Sequence, residues 1–469
     1  MRYLSTRDTR PRPATHSFED VLLAGLAEDG GLYVPETLPA LDLAALAGLP
    51  YADLAARIVG LFAGNDFAKG ELRRHTETAY AGFRHAAVTP LVQLDERLWL
   101  LELFHGPTLA FKDLALQLLG QLFDAALARR GERVTIVGAT SGDTGAAALE
   151  ACRDRGAIDI FFLYPQGRIS EVQRRQMTTV DAGNCHAVAI EGNFDDCQDI
   201  VKALFADAAL RRDLSLSAMN SINFARIAAQ IVYYVAAGLA LGAPRRAVSF
   251  AVPTGNFGNI YAAHLARAIG LPIERLVLAT NANDILARYL ASGDMSITTV
   301  SPSLSPSMDI QVASNFERLL FELKGRNGAA VKEAIAAFRR DGALPPDDQA
   351  WHAAAKFFTP HRADDDGTLV EIGDTYKATG MLIDPHTAVS VAAARAHSRS
   401  SEVPMVALAT AHPAKFADAV ERATGIRPPL PPALAETMEK RERVAVLPND
   451  VAAVARFIRE RARLHARAA

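Results

Sequence analysis

Residues 248–259 read Val-Ser-Phe-Ala-Val-Pro-Thr-Gly-Asn-Phe-Gly-Asn, and an amphipathic stretch, 260–269, follows them. The apolar run 248–252 predicts a buried strand, and the glycine- and asparagine-rich turn leads directly into a helix. Backbone N–H groups of such a turn, with the N-terminus of a helix behind them, can hold an anion such as a phosphate. The turn has neither a Gly-Lys-Ser/Thr sequence nor the full GxGxxG spacing, so a plain glycine turn stays open as an alternative.

Outward from this stretch, short apolar runs alternate with helical patterns. Strands are predicted at 133–140, 158–164, 186–190, 248–252, 276–280 and 405–409. Strands that alternate with helices indicate parallel sheets, so the fold class is α/β. Up to about residue 90 the pattern is helix-rich instead.

A second strand-turn-helix junction follows the strand at 133–140. Its turn carries the hydroxyls of Thr140, Ser141 and Thr144 beside Gly142 and Asp143. Hydroxyl and backbone donors in this arrangement predict another anion site. Two such turns suggest an anionic cofactor and an anionic substrate.

Lys112 ends the segment 105–113, which reads His-Gly-Pro-Thr-Leu-Ala-Phe-Lys-Asp and leads into a long helical pattern. The positive end of the helix and the apolar neighbours both lower the pKa of a lysine amine, which makes it a better nucleophile for an aldehyde. For this segment alone, a surface lysine at a helix start remains the alternative. Thr410 follows the strand at 405–409, at the carboxyl edge where ligands gather in open α/β sheets. The roles of the nearby His105, His412 and Lys415 stay open.

The composition is that of an ordinary globular protein. The chain has 469 residues, 50% of them hydrophobic and 22% charged, and at roughly 150 residues per domain this suggests about three domains. The net charge of −3 gives no general attraction for nucleic acid or an anionic membrane. The three cysteines form no CxxC pair, so no metal site is expected and a reducing compartment fits.

The chain is expected to be cytoplasmic. No apolar stretch follows the arginines of the first 17 residues, as a secretory signal would require. The most apolar segment, 227–243, is short for a membrane span, and a buried helix is the preferred interpretation.

Together the motifs resemble the threonine synthases, pyridoxal-phosphate enzymes of the tryptophan-synthase-β fold group, in their longer bacterial and fungal form. The resemblance covers nearly the whole chain and includes Gly30-Gly31-Leu32-Tyr33-Val34-Pro35 and Asp384-Pro385-His386-Thr387-Ala388-Val389. The other matching segments are 17–20, 105–113, 140–144, 167–173, 191–196, 220–223, 305–310 and 408–416.

The resemblance implies two open, mostly parallel α/β domains of fold-type II behind a helical N-terminal region. Residues 1–90 would form that region. Residues 91–245 would form a smaller domain with the Schiff-base lysine and the substrate loop. Residues 246–469 would form a larger domain with the phosphate loop of the cofactor and the partner of its ring nitrogen. The longer members also favour a monomer.

The resemblance also implies the roles of the site residues. Lys112 would hold pyridoxal 5'-phosphate and move protons during catalysis. The cofactor-binding residues would be Lys112, Gly255, Asn256, Phe257, Gly258 and Asn259 at its phosphate end, Thr410 at its ring nitrogen and Asp143 at its ring oxygen. The substrate-binding residues would be Thr140, Ser141, Thr144, Asn220, Ser221 and Arg226.

The implied reaction converts O-phospho-L-homoserine and water to L-threonine and phosphate, by γ-elimination and addition of water at the β-carbon. A dehydratase of the same fold is the nearest alternative, but its substrate has no phosphate for Asn220, Ser221 and Arg226 to bind. A phospho-lyase that releases a keto acid differs only in the fate of its intermediate and stays open. A non-catalytic relative would not need Lys112 together with both turns.

Overall fold

The structure, a computed structural model, describes residues 1–398 and 402–463. Its N-terminal region is mainly helical because apolar residues recur at helical spacing. In the longest helix of this region the residues Leu54, Ile58 and Phe62, four apart, are all buried. The elements are β1 (Tyr3–Ser5), α1 (Phe18–Ala24), β2 (Tyr33–Pro35), α2 (Leu43–Leu46), α3 (Tyr51–Ala63) and α4 (Lys69–Tyr80).

The next part of the chain alternates between strands and helices. Its elements are β3 (Leu91–Gln93), β4 (Leu98–Glu102), α5 (Lys112–Arg130), β5 (Val134–Ala139), α6 (Asp143–Cys152), β6 (Ile158–Pro165), α7 (Glu171–Thr178), β7 (Cys185–Glu191), α8 (Phe194–Ala206), α9 (Ala208–Asp213), β8 (Leu216–Ser217) and α10 (Phe224–Ala240). The apolar segment at 227–243 lies largely in α10, whose residues from Phe224 to Val235 are all buried. Within the described residues, no helix is both long and apolar enough to cross a membrane.

The last part continues the alternation with longer helical insertions. Its elements are β9 (Val248–Pro253), α11 (Gly258–Ala268), β10 (Ile273–Thr280), α12 (Ile285–Ser292), α13 (Phe316–Leu323), α14 (Gly328–Asp341), α15 (Asp348–Phe357), β11 (Thr359–Arg362), α16 (Asp365–Thr379), α17 (Pro385–Ser398), β12 (Met405–Ala409), α18 (Ala417–Thr424), α19 (Pro432–Glu439), β13 (Val444–Pro448) and α20 (Val451–Arg461). Short 3-10 helices lie at Pro306–Met308 and Pro413–Phe416. All six strands expected from the sequence are present with small shifts at their ends.

In the described part of the chain, the strands form two large sheets and the small antiparallel pair β1–β2. The six-stranded sheet has the order β11-β10-β9-β12-β4-β3, and the five-stranded sheet has the order β13-β7-β6-β5-β8. All neighbours in the two large sheets are parallel except β3 and β4. The α/β class with mostly parallel sheets is therefore confirmed.

The position of β12 in the larger sheet decides where a ligand can bind. Met405 of β12 pairs with Ser249 of β9 on one side and with Leu98 of β4 on the other. The carboxyl ends of these three parallel strands consequently lie at one edge of the sheet. The glycine-rich turn after β9, the Thr410 turn after β12 and the segment that leads from β4 to Lys112 all begin at this edge.

The two sheets cross the domain boundaries expected from the sequence. Strands β3 and β4 lie in the sheet that is otherwise built from residues beyond 246, and β13 lies in the sheet that holds β5 to β8. Parallel pairing joins strands that are remote in sequence. Domains that are defined as continuous residue ranges therefore cannot coincide with the two sheets. The boundaries at 90 and 245 stay a prediction, and residues 399–401 and 464–469 lie outside the described part.

Close packing of α5 on α6 makes one glycine sensitive to substitution. A Cβ atom added at Gly120 of α5 would lie 2.4 Å from the carbonyl oxygen of Ala151 in α6. We expect Gly120→Ala to lower the free energy of unfolding by about 1–3 kcal/mol, because the helices must move apart. Denaturant unfolding followed by circular dichroism measures this change.

Gly60→Ala in α3 is the matched control, since its added Cβ meets only Leu72 Cδ2 at an ordinary 3.5 Å. The same substitution should raise stability there by about 0.5–1 kcal/mol through helix propensity. Equal effects of the two substitutions would contradict this interpretation of the α5–α6 contact.

Candidate functional site

A cavity lies at the carboxyl edge of the larger sheet, facing the start of α6 from the other sheet. The residues expected from the sequence that line it are Lys112, Asp143, Thr144, Ser221, Arg226, Gly255, Asn256, Phe257, Gly258, Asn259 and Thr410. The fold therefore gathers most of the predicted site from five separate segments of the chain.

Lys112 is the first residue of α5, and the backbone fixes its place against the Thr410 turn. Phe111 N donates to the carbonyl oxygen of Thr410 at 2.8 Å, and Ala110 forms an antiparallel bridge with Ala411. Burial lowers the pKa of Lys112, and the nearby Asp143 carboxylate opposes this shift. A lowered pKa increases the neutral, nucleophilic fraction of the amine near neutral pH.

Asp143 begins α6 and faces two ammonium groups. Its Oδ2 lies 3.5 Å from Lys112 Nζ, and its Oδ1 lies 3.0 Å from Lys415 Nζ. Oδ1 also accepts a hydrogen bond from Gln173 Nε2 at 3.0 Å. Burial alone would raise the pKa of Asp143, but the positive charges of Lys415 and Lys112 hold it below its usual range. Asp143 is therefore a carboxylate at neutral pH.

The turn after β9 has the backbone geometry of an anion cradle. Phe257 has a positive φ of 64°, and α11 begins at the next residue, so the N-terminus of this helix lies at the cavity. The N–H groups at a helix N-terminus favour an anion. A Cβ at Gly255 would lie 2.9 Å from the carbonyl oxygen of Ser307, so only glycine fits without a shift.

Asn259 adds a side-chain donor to this cradle. Its Oδ1 accepts hydrogen bonds from the hydroxyls of Tyr233 and Tyr234, the second at 2.7 Å. Its Nδ2 is buried and has no hydrogen-bond partner within residues 1–398 and 402–463. The two tyrosines fix the orientation of the Asn259 amide. A buried donor without a partner is costly, so this amide favours a ligand that supplies an acceptor.

Arg226 brings an unpaired positive charge to the same cavity. The residue is 3% exposed, and its Nε and Nη1 lack a hydrogen-bond partner in the described structure. Burial lowers the pKa of Arg226 to about 10, so the group remains a cation at neutral pH. An uncompensated buried cation is expensive, which indicates that the cavity takes an anion.

Three of the predicted residues do not line the cavity. Thr140 Oγ1 accepts hydrogen bonds from the backbone N–H groups of Gly142 and Gly145, so it shapes its own turn. Ser141 is exposed, and Asn220 Oδ1 accepts from Ile222 N at 3.3 Å. Thr144 and Ser221 of the same segments do line the cavity, but hydroxyl and amide side chains of a turn often bond to the turn itself.

Other residues line the cavity without having been assigned a role from the sequence. They include Gln230, Ser307, Met308, Asn315 and His386. His386 Nδ1 contacts Asp384 Oδ2 at 2.7 Å, and its Nε2 accepts from Ser307 N at 3.3 Å. The segments 305–310 and 384–389 carry the family resemblance, and this was the signal that could have singled out Ser307 and His386.

His105 and His412 lie at a neighbouring cavity instead. His105 Nε2 contacts Glu102 Oε2 at 2.7 Å, and His412 Nδ1 accepts from Ala414 N at 3.2 Å. Burial lowers the pKa of His412 to about 4, so it is neutral at pH 7. Its hydrogen bond to the turn supports a structural role.

Comparisons with known proteins agree with this geometry. Family models match at residues 2–80 (threonine synthase N terminus), 83–411 (pyridoxal-phosphate dependent enzyme) and 387–458 (threonine synthase, C-terminal). A threonine synthase of Pseudomonas aeruginosa is 56% identical over 462 residues, which cover 98% of each chain.

Solved structures agree as well. The structure of a threonine synthase with bound pyridoxal phosphate from Brucella melitensis is 50% identical, with a TM-score of 0.96 over 99% of this chain and 100% of the other. A yeast threonine synthase is 39% identical, with a TM-score of 0.92 over 98% of both chains.

The residues around the cavity fit pyridoxal phosphate. Lys112 is a buried amine of lowered pKa, which is the group that would hold the aldehyde of the cofactor. The start of α11 and the free amide of Asn259 offer donors that would suit its phosphate. Both features exist in the chain itself, independently of the comparisons.

The unpaired guanidinium leads to a prediction for the cofactor-free protein. We expect Arg226→Met not to lower its unfolding midpoint, because the substitution removes a buried charge without a partner. Inorganic phosphate should raise the midpoint of the wild type, because binding adds about 1.4 kcal/mol to the free energy of unfolding at ten times the dissociation constant. It should raise the midpoint of the variant less, because the variant keeps only the donors of the turn after β9. Differential scanning calorimetry with and without phosphate measures both effects.

Arg7→Met is the control, since Arg7 is a buried arginine with a partner: its Nη2 lies 2.6 Å from Glu317 Oε2. This variant should lose stability, by about 3–5 kcal/mol, and keep its response to phosphate. An equal response to phosphate in the wild type and in Arg226→Met would contradict the assignment of an anion to Arg226.

Proposed function

The chain belongs to the threonine synthase family of pyridoxal-phosphate-dependent enzymes, and we propose that it converts O-phospho-L-homoserine and water to L-threonine and phosphate. The observation that carries the proposal is that one cavity holds both Lys112, an amine of lowered pKa, and Arg226, a buried cation without a partner. The first suits proton transfer at carbon, and the second suits a phosphorylated substrate.

We assign the cofactor-holding roles to the residues that line the cavity. Lys112 Nζ would hold the cofactor, the N–H groups of Gly255 to Asn259 would bind its phosphate, and Thr410 would face its ring nitrogen. Asp143 would serve its ring oxygen and at the same time orient Lys112, which it contacts at 3.5 Å. The chemistry that pyridoxal phosphate supplies when bound is withdrawal of electrons from the α-carbon of the substrate.

Lys112 moves the protons of the reaction. Its Nζ removes protons from the α-carbon and the β-carbon. Phosphate leaves the γ-carbon, which takes up a proton to become the methyl group of threonine, and the α-carbon is protonated again. The β-carbon gains the hydroxyl of water, whose other proton ends on the released phosphate. A group that both takes and returns protons works best with a pKa near the working pH. Burial shifts the pKa of Lys112 in that direction.

Two groups of donors serve the two anions of the substrate. We propose that Arg226 and Ser221 bind the phosphate, because the guanidinium fork matches phosphate oxygens. Thr144 and the N-terminus of α6 bind the carboxylate. The backbone of the turn, rather than the Thr140 hydroxyl, contributes there, because that hydroxyl lies against the N–H groups of its own turn and does not line the cavity.

The remaining expectations about the surroundings of the enzyme stay predictions. They are a monomer, a cytoplasmic location, and no association with nucleic acid or membrane. Size-exclusion chromatography with light scattering tests the first of them.

The products of the reaction test the proposal. Protein loaded with pyridoxal phosphate and incubated with O-phospho-L-homoserine should release L-threonine and phosphate in equal amounts, identified by chromatography and a phosphate assay. Lys112→Ala should lower the rate about 10³-fold, because it removes the proton-transferring group. Lys356→Ala, which changes an exposed lysine of α15, should keep the wild-type rate.

Other products would contradict the proposed reaction. Phosphate accompanied by a keto acid would identify a phospho-lyase with the same cofactor and site. A visible absorbance of the lysine-bound cofactor without turnover would refute the assigned substrate.

A further inference from the structure

Lys415 is a buried lysine that does not line the cavity. It lies in the 3-10 helix Pro413–Phe416 that follows Thr410, and its side chain has no exposed surface. Its Nζ contacts three oxygens: the carbonyl of Thr108 at 2.7 Å, Gln176 Oε1 at 2.7 Å and Asp143 Oδ1 at 3.0 Å. An ammonium group has three protons, so these contacts satisfy it fully.

These contacts join the parts of the active site that come from different regions of the chain. Thr108 belongs to the segment that leads to Lys112, Gln176 to α7, and Asp143 to the start of α6. Gln176 Nε2 also donates to the carbonyl of Thr108 at 2.9 Å, and His412 N donates to that of Leu109 at 3.1 Å. The turn that carries Thr410 is thereby fixed to the segment that carries Lys112.

The same ammonium group also determines the electrostatics of Lys112. The charged groups that face Lys112 are Asp143 from α6, Lys415 from the Thr410 turn and Arg226 from α10. Beyond burial, the charge of Asp143 raises the pKa of Lys112, and those of Lys415 and Arg226 lower it. Removal of the charge at Lys415 should therefore raise the pKa of Lys112.

We propose that Lys415 is a positioning residue of the active site: it holds the Asp143 carboxylate toward Lys112, fixes the Lys112 segment to the Thr410 turn and keeps a second positive charge near the reacting amine. It acts through Asp143 and Thr108, since it does not touch the cavity. The inference rests on the proposed function for its importance in catalysis, but the charge effect on Lys112 does not depend on the identity of the substrate.

The test separates the charge of Lys415 from its geometry. In the cofactor-free protein, the rate of reductive methylation of Lys112, followed by mass spectrometry of its peptide, is measured against pH. Lys415→Met should move the midpoint of this profile upward by about one pH unit, because a like charge is lost. Lys415→Arg keeps the charge and should leave the midpoint unchanged.

The geometric part is measured on the loaded enzyme. Lys415→Arg should lower kcat by about 10- to 100-fold, because the larger planar group cannot make the same three contacts. Lys324→Met is the control: Lys324 also pairs with an aspartate, Asp347 at 2.6 Å, but lies outside the site. It should change neither the midpoint nor kcat.

The outcomes are decisive in each direction. An unchanged midpoint in Lys415→Met would overturn the charge effect, and an unchanged kcat in Lys415→Arg would overturn the geometric one. If Lys415→Met does not fold, the neutral Lys415→Gln takes its place in the methylation profile, and kcat of Lys415→Arg still decides the geometric part. If O-phospho-L-homoserine is not a substrate, the proposed function fails, and the methylation profile still decides the role of Lys415.

Discussion

The ionised carboxylate of Asp143, enclosed between two buried ammonium groups, is the interaction on which the site depends. A buried carboxylate alone would take up a proton, and a buried lysine alone would lose one. Here the charges of Lys415, at 3.0 Å, and Lys112, at 3.5 Å, hold the pKa of Asp143 below its usual range, and the Asp143 carboxylate opposes the lowering of the pKa of Lys112 by burial. The shorter contact and the fuller set of partners belong to Lys415. The longer contact leaves Lys112 freer to exchange its proton.

This arrangement requires both sheets to be in place. Asp143 begins α6, directly after β5 of the smaller sheet, whereas Lys112 and Lys415 follow β4 and β12 of the larger one. Parallel strands send their carboxyl ends to one edge, so each sheet delivers its loops to the same cavity. The hydrogen bond from Phe111 N to the carbonyl oxygen of Thr410 then fixes the position of the neighbouring Lys112 relative to that edge.

The sequence predicted the strands and the loops better than the side-chain contacts. Apolar runs located β5, β6, β7, β9, β10 and β12, because a strand buried on both faces has a local signature. The motif residues Lys112, Arg226 and Thr410 lie at the cavity, and each is close to the end of a helix or strand that the local sequence pattern predicts. Lys415 was beyond such reasoning, since its partners Thr108, Gln176 and Asp143 meet it only when the two sheets are assembled. For Thr140 the sequence could not decide between a ligand and the N–H groups of its own turn.

The two buried cations Lys415 and Arg226 have different roles, one in fixing the geometry of the site and the other in binding a ligand. Lys415 has a partner for each of its protons, so it contributes fixed geometry and no capacity for a ligand. Arg226 has two nitrogens without partners, and Asn259 has a free amide that two tyrosines hold in place. Such groups destabilise the protein as long as they lack a partner, and the oxygens of a phosphorylated ligand would pair with them. The free energy gained by this pairing would favour binding of an anionic ligand. A dehydratase substrate has no phosphate, so it could not pair with Arg226.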